Sequence, residues 1–171
     1  MFTQHRPSIR VLTVGTLAGA LICGAGSAAS AGEHGSFHGV FRETALAAAP
    51  PLHYDVHGSA KMTTGAAGTT VKITVSGLDP TKTYGSHLHN GNCASGGGGH
   101  YKHDEGGSTV PPNELWLTTG SGGLVPNRGG VTHGAGSATW QARTSSTTRT
   151  NALSVVVHEP GGARIACADL S

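Results

Sequence analysis

Thr69-Thr70-Val71-Lys72-Ile73-Thr74-Val75 is the stretch on which the fold reading turns. Side chains alternate across a strand, so Val71, Ile73 and Val75 share one face while Lys72 and Thr74 share the other. That alternation predicts a half-buried strand. Outward from it, short runs of similar character recur at His53 to Met62, Tyr84 to His89, Ser137 to Ala142, Ala152 to His158 and Arg164 to Cys167. Turn signals at Gly77-Leu78-Asp79-Pro80, Gly96 to Gly99 and Gly161-Gly162 punctuate them. No helical periodicity lasts beyond a turn or two. The expectation is one all-β domain, a sandwich or barrel. If Leu153, Val155 and Val157 face the core, His158 projects from the other side of its strand.

The ends of the chain read differently. Arg6 and Arg10 give a basic start, Val11 to Ile22 an apolar stretch, and Ala29-Ser30-Ala31 a small-residue cleavage site. Residues 1–31 are read as a signal peptide, residues 32–51 as a leader, and residues 52–171 as the β domain. Within the leader, Gly39 to Glu43 is open to two readings, flexible chain or a first strand. Ser95 to Gly130 carries little strand signal beyond Leu115 to Leu117 and reads as a long loop, a segment that in compact domains is usually functional.

Charge narrows the partners. The chain has 11 basic and 9 acidic residues, and losing Arg6 and Arg10 with the signal leaves nine of each. A neutral mature chain lacks the basic excess that nucleic acid or a membrane surface would want, so neither is expected as a partner. The apolar start is too short to span a bilayer comfortably, and no span is expected after its removal. Cys23 would leave too, and Cys93 and Cys167 remain as an even pair in an oxidising, extracytoplasmic compartment. A bridge between them would constrain the unfolded chain by roughly 4 kcal/mol; two separate buried thiols are the alternative.

His87-Leu88-His89 ends one of the strand-like runs. Residues i and i+2 of a strand share a face, so two imidazoles can meet one ion from a rigid ladder. A site of nitrogen donors suits copper or zinc rather than calcium or magnesium. His100, after the glycine run, and His158, closing a Val-Val-Val strand, are candidates to complete it.

Four segments then resemble the copper/zinc superoxide dismutases. Gly85-Ser86-His87-Leu88-His89-Asn90-Gly91-Asn92-Cys93 is similar to that family's strand with two copper histidines and the first disulfide cysteine. Gly98-Gly99-His100-Tyr101 resembles the segment of its bridging histidine, and Ser154 to Glu159 the strand of its fourth copper histidine. Gly162-Ala163-Arg164-Ile165-Ala166-Cys167 resembles its C-terminal segment. The resemblance covers about residues 52–170. It implies a Greek-key β-barrel of about eight short strands with one long metal-site loop. It also implies copper on His87, His89, His100 and His158, a Cys93–Cys167 disulfide, and Arg164 orienting a superoxide substrate beside the metal.

Two departures point to the family's copper-only branch. After His100 the loop offers His103 and Asp104, then no histidine until His133, and Asn113-Glu114-Leu115-Trp116-Leu117 stands where the remaining zinc ligands would fall. Zinc is therefore not expected. Only five residues separate His158 from Arg164, where the family usually carries a longer charged loop. Without zinc, the ring of His100 needs another partner on its second nitrogen. Glu114 and Asp104 are the candidates, Glu114 ahead. The expected activity is an exported copper-dependent superoxide dismutase, with His100 passing a proton to the peroxide product. A non-catalytic extracytoplasmic copper-binding or copper-delivery protein using the same histidines is the alternative.

Overall fold

Seven antiparallel strands form one curled sheet in the computed structural model, which describes residues 34–44, 55–120, 122–144 and 151–171. They are β1 (Gly35–Glu43), β2 (His57–Gly65), β3 (Gly68–Ser76), β4 (Gly85–His89), β5 (Thr132–Ala138), β6 (Ser154–His158) and β7 (Arg164–Asp169). Their order across the sheet is β4-β6-β7-β1-β2-β3-β5. The signal-peptide reading of 1–31 lies outside the described residues, as do residues 45–54.

The alternating stretch is the middle of β3, and Val71, Ile73 and Val75 are all buried. They join Phe41, Met62, Leu88, Leu115, Leu117, Val155, Val157 and Ile165 in one apolar core. Packing of this kind, not strand propensity alone, selects which face of each strand turns inward. Gly39 to Glu43, for which leader and strand were both open, lies in a strand that starts earlier, at Gly35, and pairs with β2 along seven positions and with β7 at Arg42 and Glu43. β2 begins later than the His53 start expected from sequence and runs on to Gly65. There Ala66-Ala67 makes a tight turn into β3, with Gly68 at a positive φ of 104°.

β5 is the element the sequence misplaced. It spans Thr132–Ala138, not Ser137 to Ala142. Its centre, His133-Gly134-Ala135-Gly136, has too few side chains to alternate visibly, and the reason lies in what covers it. A Cβ at Gly134 would sit 2.3 Å from Leu124 Cδ2, and one at Gly136 would sit 2.3 Å from the Trp116 carbonyl oxygen. The glycines let another piece of chain lie directly on the strand.

Over Gly136 that piece is Leu115 to Thr118, and over Gly134 it is the Leu124 side chain. Leu88 N–H donates to Leu115 O and Leu117 N–H to Ser86 O on one side, at 3.2 and 2.8 Å. Thr118 and Ala135 exchange both backbone hydrogen bonds on the other, at 3.0 and 2.9 Å. Since β4 and β5 are the two edges of the sheet, these bridges join the edges and satisfy backbone groups an open sheet would leave unpaired. The chain stays extended here for only a few residues, so seven strands stand where about eight were expected. Among the described residues no helix is long and apolar enough to cross a membrane.

Candidate metal centre

β4 and β6 are neighbours with Gly85 opposite His158, His87 opposite Val156 and His89 opposite Ser154. Paired residues share a face, so His87, His89 and His158 project together on the side opposite Leu88, Val155 and Val157. His158 does leave its strand on that side, as the valine pattern required, but the side is not open to water. All five residues of β6 are buried, because the chain after β4 folds back over it.

Gly97 makes that cover possible. Its φ is 83°, and a Cβ there would fall 2.7 Å from Val156 Cγ2 and 3.4 Å from His89 Nδ1. Gly91 N–H to Gly97 O, Asn90 N–H to Gly99 O and Tyr101 N–H to Leu88 O hold the returning strip beside β4. The strip thereby delivers His100 to the other three rings. The His100 ring centroid is 4.2 Å from that of His87 and 4.9 Å from that of His89, and His158 lies 5.1 and 5.2 Å from the same two rings. One nitrogen from each of the four histidines lies within 4.8 Å of all the others.

The electrostatics suit a cation. Burial, then the nearby His100 and His158, lower the pKa of His87 to about 3. Burial, then the other three imidazoles and Arg164, lower that of His89 to about 3. His158 is also pushed down by burial, partly offset by the Gly162 carbonyl oxygen that accepts from its Nδ1 at 3.0 Å. Those three rings, of His87, His89 and His158, therefore stay neutral at ordinary pH, with lone pairs free to bind. The Nε2 atoms of His89 and His158 are 3.1 Å apart, and Nδ1 of both His87 and His89 is buried without a hydrogen-bond partner. Orphaned buried nitrogens of this kind are what a metal ion would satisfy. No carboxylate belongs to the quartet, so its donor chemistry fits copper or zinc. The cluster can hold a metal ion.

The surrounding residues divide the sequence candidates. Glu114, whose side chain is only 1% exposed, places Oε2 2.8 Å from His100 Nδ1. Asp104 does not reach that ring; its carboxylate accepts from Gly106 N–H at 3.1 Å, while Asn113 holds its backbone. His103 lies outside the quartet, its ring stacked on Trp140 at 5.1 Å and 7°. Arg164 opens β7 opposite His158 and donates from Nη1 to Gly96 O at 2.6 Å. Its charge is felt by His89 and His158. Cys93 and Cys167 are joined by a disulfide that spans 74 residues and ties the strip to β7. The bridge is compatible with an extracytoplasmic protein.

Trp116 escaped the sequence reading. Its indole ring lies 5.0 Å from that of His87, and its Nε1 donates to Glu114 Oε2 at 2.8 Å. The available signal was its spacing: Glu114 and Trp116 alternate with Leu115 and Leu117, which puts the first pair on the histidine side once the leucines enter the core.

No family model matches the chain, and no curated protein matches it at a significant level.

Proposed function

We propose that the quartet of His87, His89, His100 and His158 binds one copper ion and that the protein dismutes superoxide to dioxygen and hydrogen peroxide. The observation that carries this reading is the convergence of four imidazoles with an arginine beside them, in the segments that resemble the copper-only superoxide dismutases. Bound copper would supply a one-electron couple, taking an electron from one superoxide and returning it to a second, which zinc has no redox state to do.

The chain's own residues would do the rest. Arg164 spends one donor on Gly96 O, and a guanidinium has five, so the remainder of its fork can hold and orient a small anion. Glu114 keeps His100 Nδ1 engaged. His100 Nε2 is then the atom that would hold a proton and pass it to the departing peroxide. His158 is kept in one tautomer by Gly162 O, which leaves its Nε2 for the metal. The disulfide anchors Gly96, and through it the pose of Arg164, against β7.

The test is metal analysis of the purified mature protein, followed by superoxide consumption by the copper-loaded form. One copper per chain with turnover that falls sharply in Arg164→Ala is the expected result. One copper without turnover would replace the enzyme by a copper carrier. No stoichiometric metal would end both readings.

A further inference from the structure

One indole touches one of the four histidines and reaches a second through a buried carboxylate. Trp116 packs on the His87 ring directly and is bridged to His87 through the backbone as well. It reaches His100 through Glu114, whose Oε2 both accepts from Trp116 Nε1 and lies 2.8 Å from His100 Nδ1. Glu114 is 2% exposed, so no bulk water stands ready to replace a lost donor. A buried carboxylate oxygen deprived of a partner carries its full desolvation cost and moves to find another. Trp116 itself is 39% exposed. A lone surface aromatic needs no explanation, but one whose N–H is committed to a buried carboxylate does.

We propose that Trp116 is a positioning residue for the cluster: its N–H pins Glu114, so that the carboxylate holds His100 by Nδ1–H and turns Nε2 toward the other three imidazoles. The geometry stands without any ion. Its consequence for copper rests on the metal-site reading above. Loss of the indole N–H leaves Glu114 free to turn about its terminal torsion, and His100 then loses its fixed tautomer and orientation. A supporting group of this kind typically changes metal affinity about 10-fold or more when removed.

The test uses the mature chain in four forms: wild type, Trp116→Phe, Glu114→Gln and the double variant. Trp116→Tyr replaces Trp116→Phe if that variant fails to fold. Nitrogen-15 spectra of the metal-free protein report the His100 tautomer. The expected result is one Nδ1–H form in wild type and a mixture in Trp116→Phe. Chelator competition and the Cu(II) paramagnetic resonance spectrum report the site. We expect affinity about 10-fold weaker and an altered hyperfine pattern in Trp116→Phe, with no further change when the substitution is made in Glu114→Gln. An unchanged His100 tautomer would overturn the proposal, and so would a Trp116→Phe effect equally large with and without Glu114. A wild-type protein that takes up no copper would remove the proposed function, while the His100 spectra would still decide the role of Trp116.

Discussion

The β1-β2-β3-β5 side of the barrel and the β4-β6-β7 side solve the same packing problem differently. On the first, the ladders are long, with nine paired positions between β2 and β3 and seven between β3 and β5. Their outer face, carrying Ser59, Lys61, Thr63 and Lys72, is exposed. On the second, β4 pairs β6 over five positions, and the outer face is taken by histidines under a strip of chain. The long ladders use one face for the core and give the other to water. The short ones bury both faces, one in apolar packing and one in the histidine cluster.

The strongest challenge to that division is removal of the disulfide, which belongs wholly to the second side. Cys93→Ser with Cys167→Ser should lose about 4 kcal/mol and lower the melting temperature by about 10 °C. A calorimetric loss below about 1 kcal/mol would show that the strip is held down without it. Next come two truncation-scale changes that should separate the sides. Met62→Ala, in the core of the long ladders, should cost about 2–5 kcal/mol in urea unfolding and leave the affinity of the proposed copper site alone. Gly97→Ala should cost less, about 1–3 kcal/mol, yet weaken binding at the proposed copper site, because a Cβ at a φ of 83° pushes on Val156 and His89. Affinities that move together in the two variants would erase the distinction.

The pH dependence of the metal-free protein sharpens it further. In the unfolded chain His87 and His89 titrate near 6.5, but in the folded one near 3. Between those values the unfolded state binds more protons, so stability is level above pH 6.5 and falls as pH drops toward 3. The urea midpoint should be lower at pH 5 than at pH 8, with a smaller difference in His89→Gln; equal midpoints would contradict the burial of these rings. The smallest effect belongs to the open face. Lys61 lies directly opposite Lys72, so Lys61→Glu should gain a few tenths of a kcal/mol by replacing like charges with an opposed pair, and the gain should shrink in high salt.

The same contrast explains what could be read from the chain. β3 was legible because one of its faces meets water and the other the core, which writes itself as Val71-Lys72-Ile73-Thr74-Val75. The histidine pair of β4 was legible because strand geometry alone puts residues i and i+2 together. β5 was not, since its glycines make room for Leu124 and for Leu115-Trp116, contacts from elsewhere in the chain that leave no periodic trace. β1 stayed undecided for a related reason: Gly35-Ser36-Phe37-His38-Gly39 has weak strand character of its own and is fixed by partners on both sides. Glu114 could be put forward for His100 from the absence of further zinc ligands. Trp116 could not, because its part depends on where the carboxylate finally rests.

Leu115 to Thr118 acts as the clasp of the barrel; it contains Trp116 and directly follows Glu114, the two props of the histidine cluster. Anything that pries apart the seam between β4 and β5 also withdraws Glu114 and Trp116 from the histidines. Integrity of the closure and readiness of the site are thus one mechanical property, and a protein whose seam had sprung open would no longer hold its four imidazoles in place.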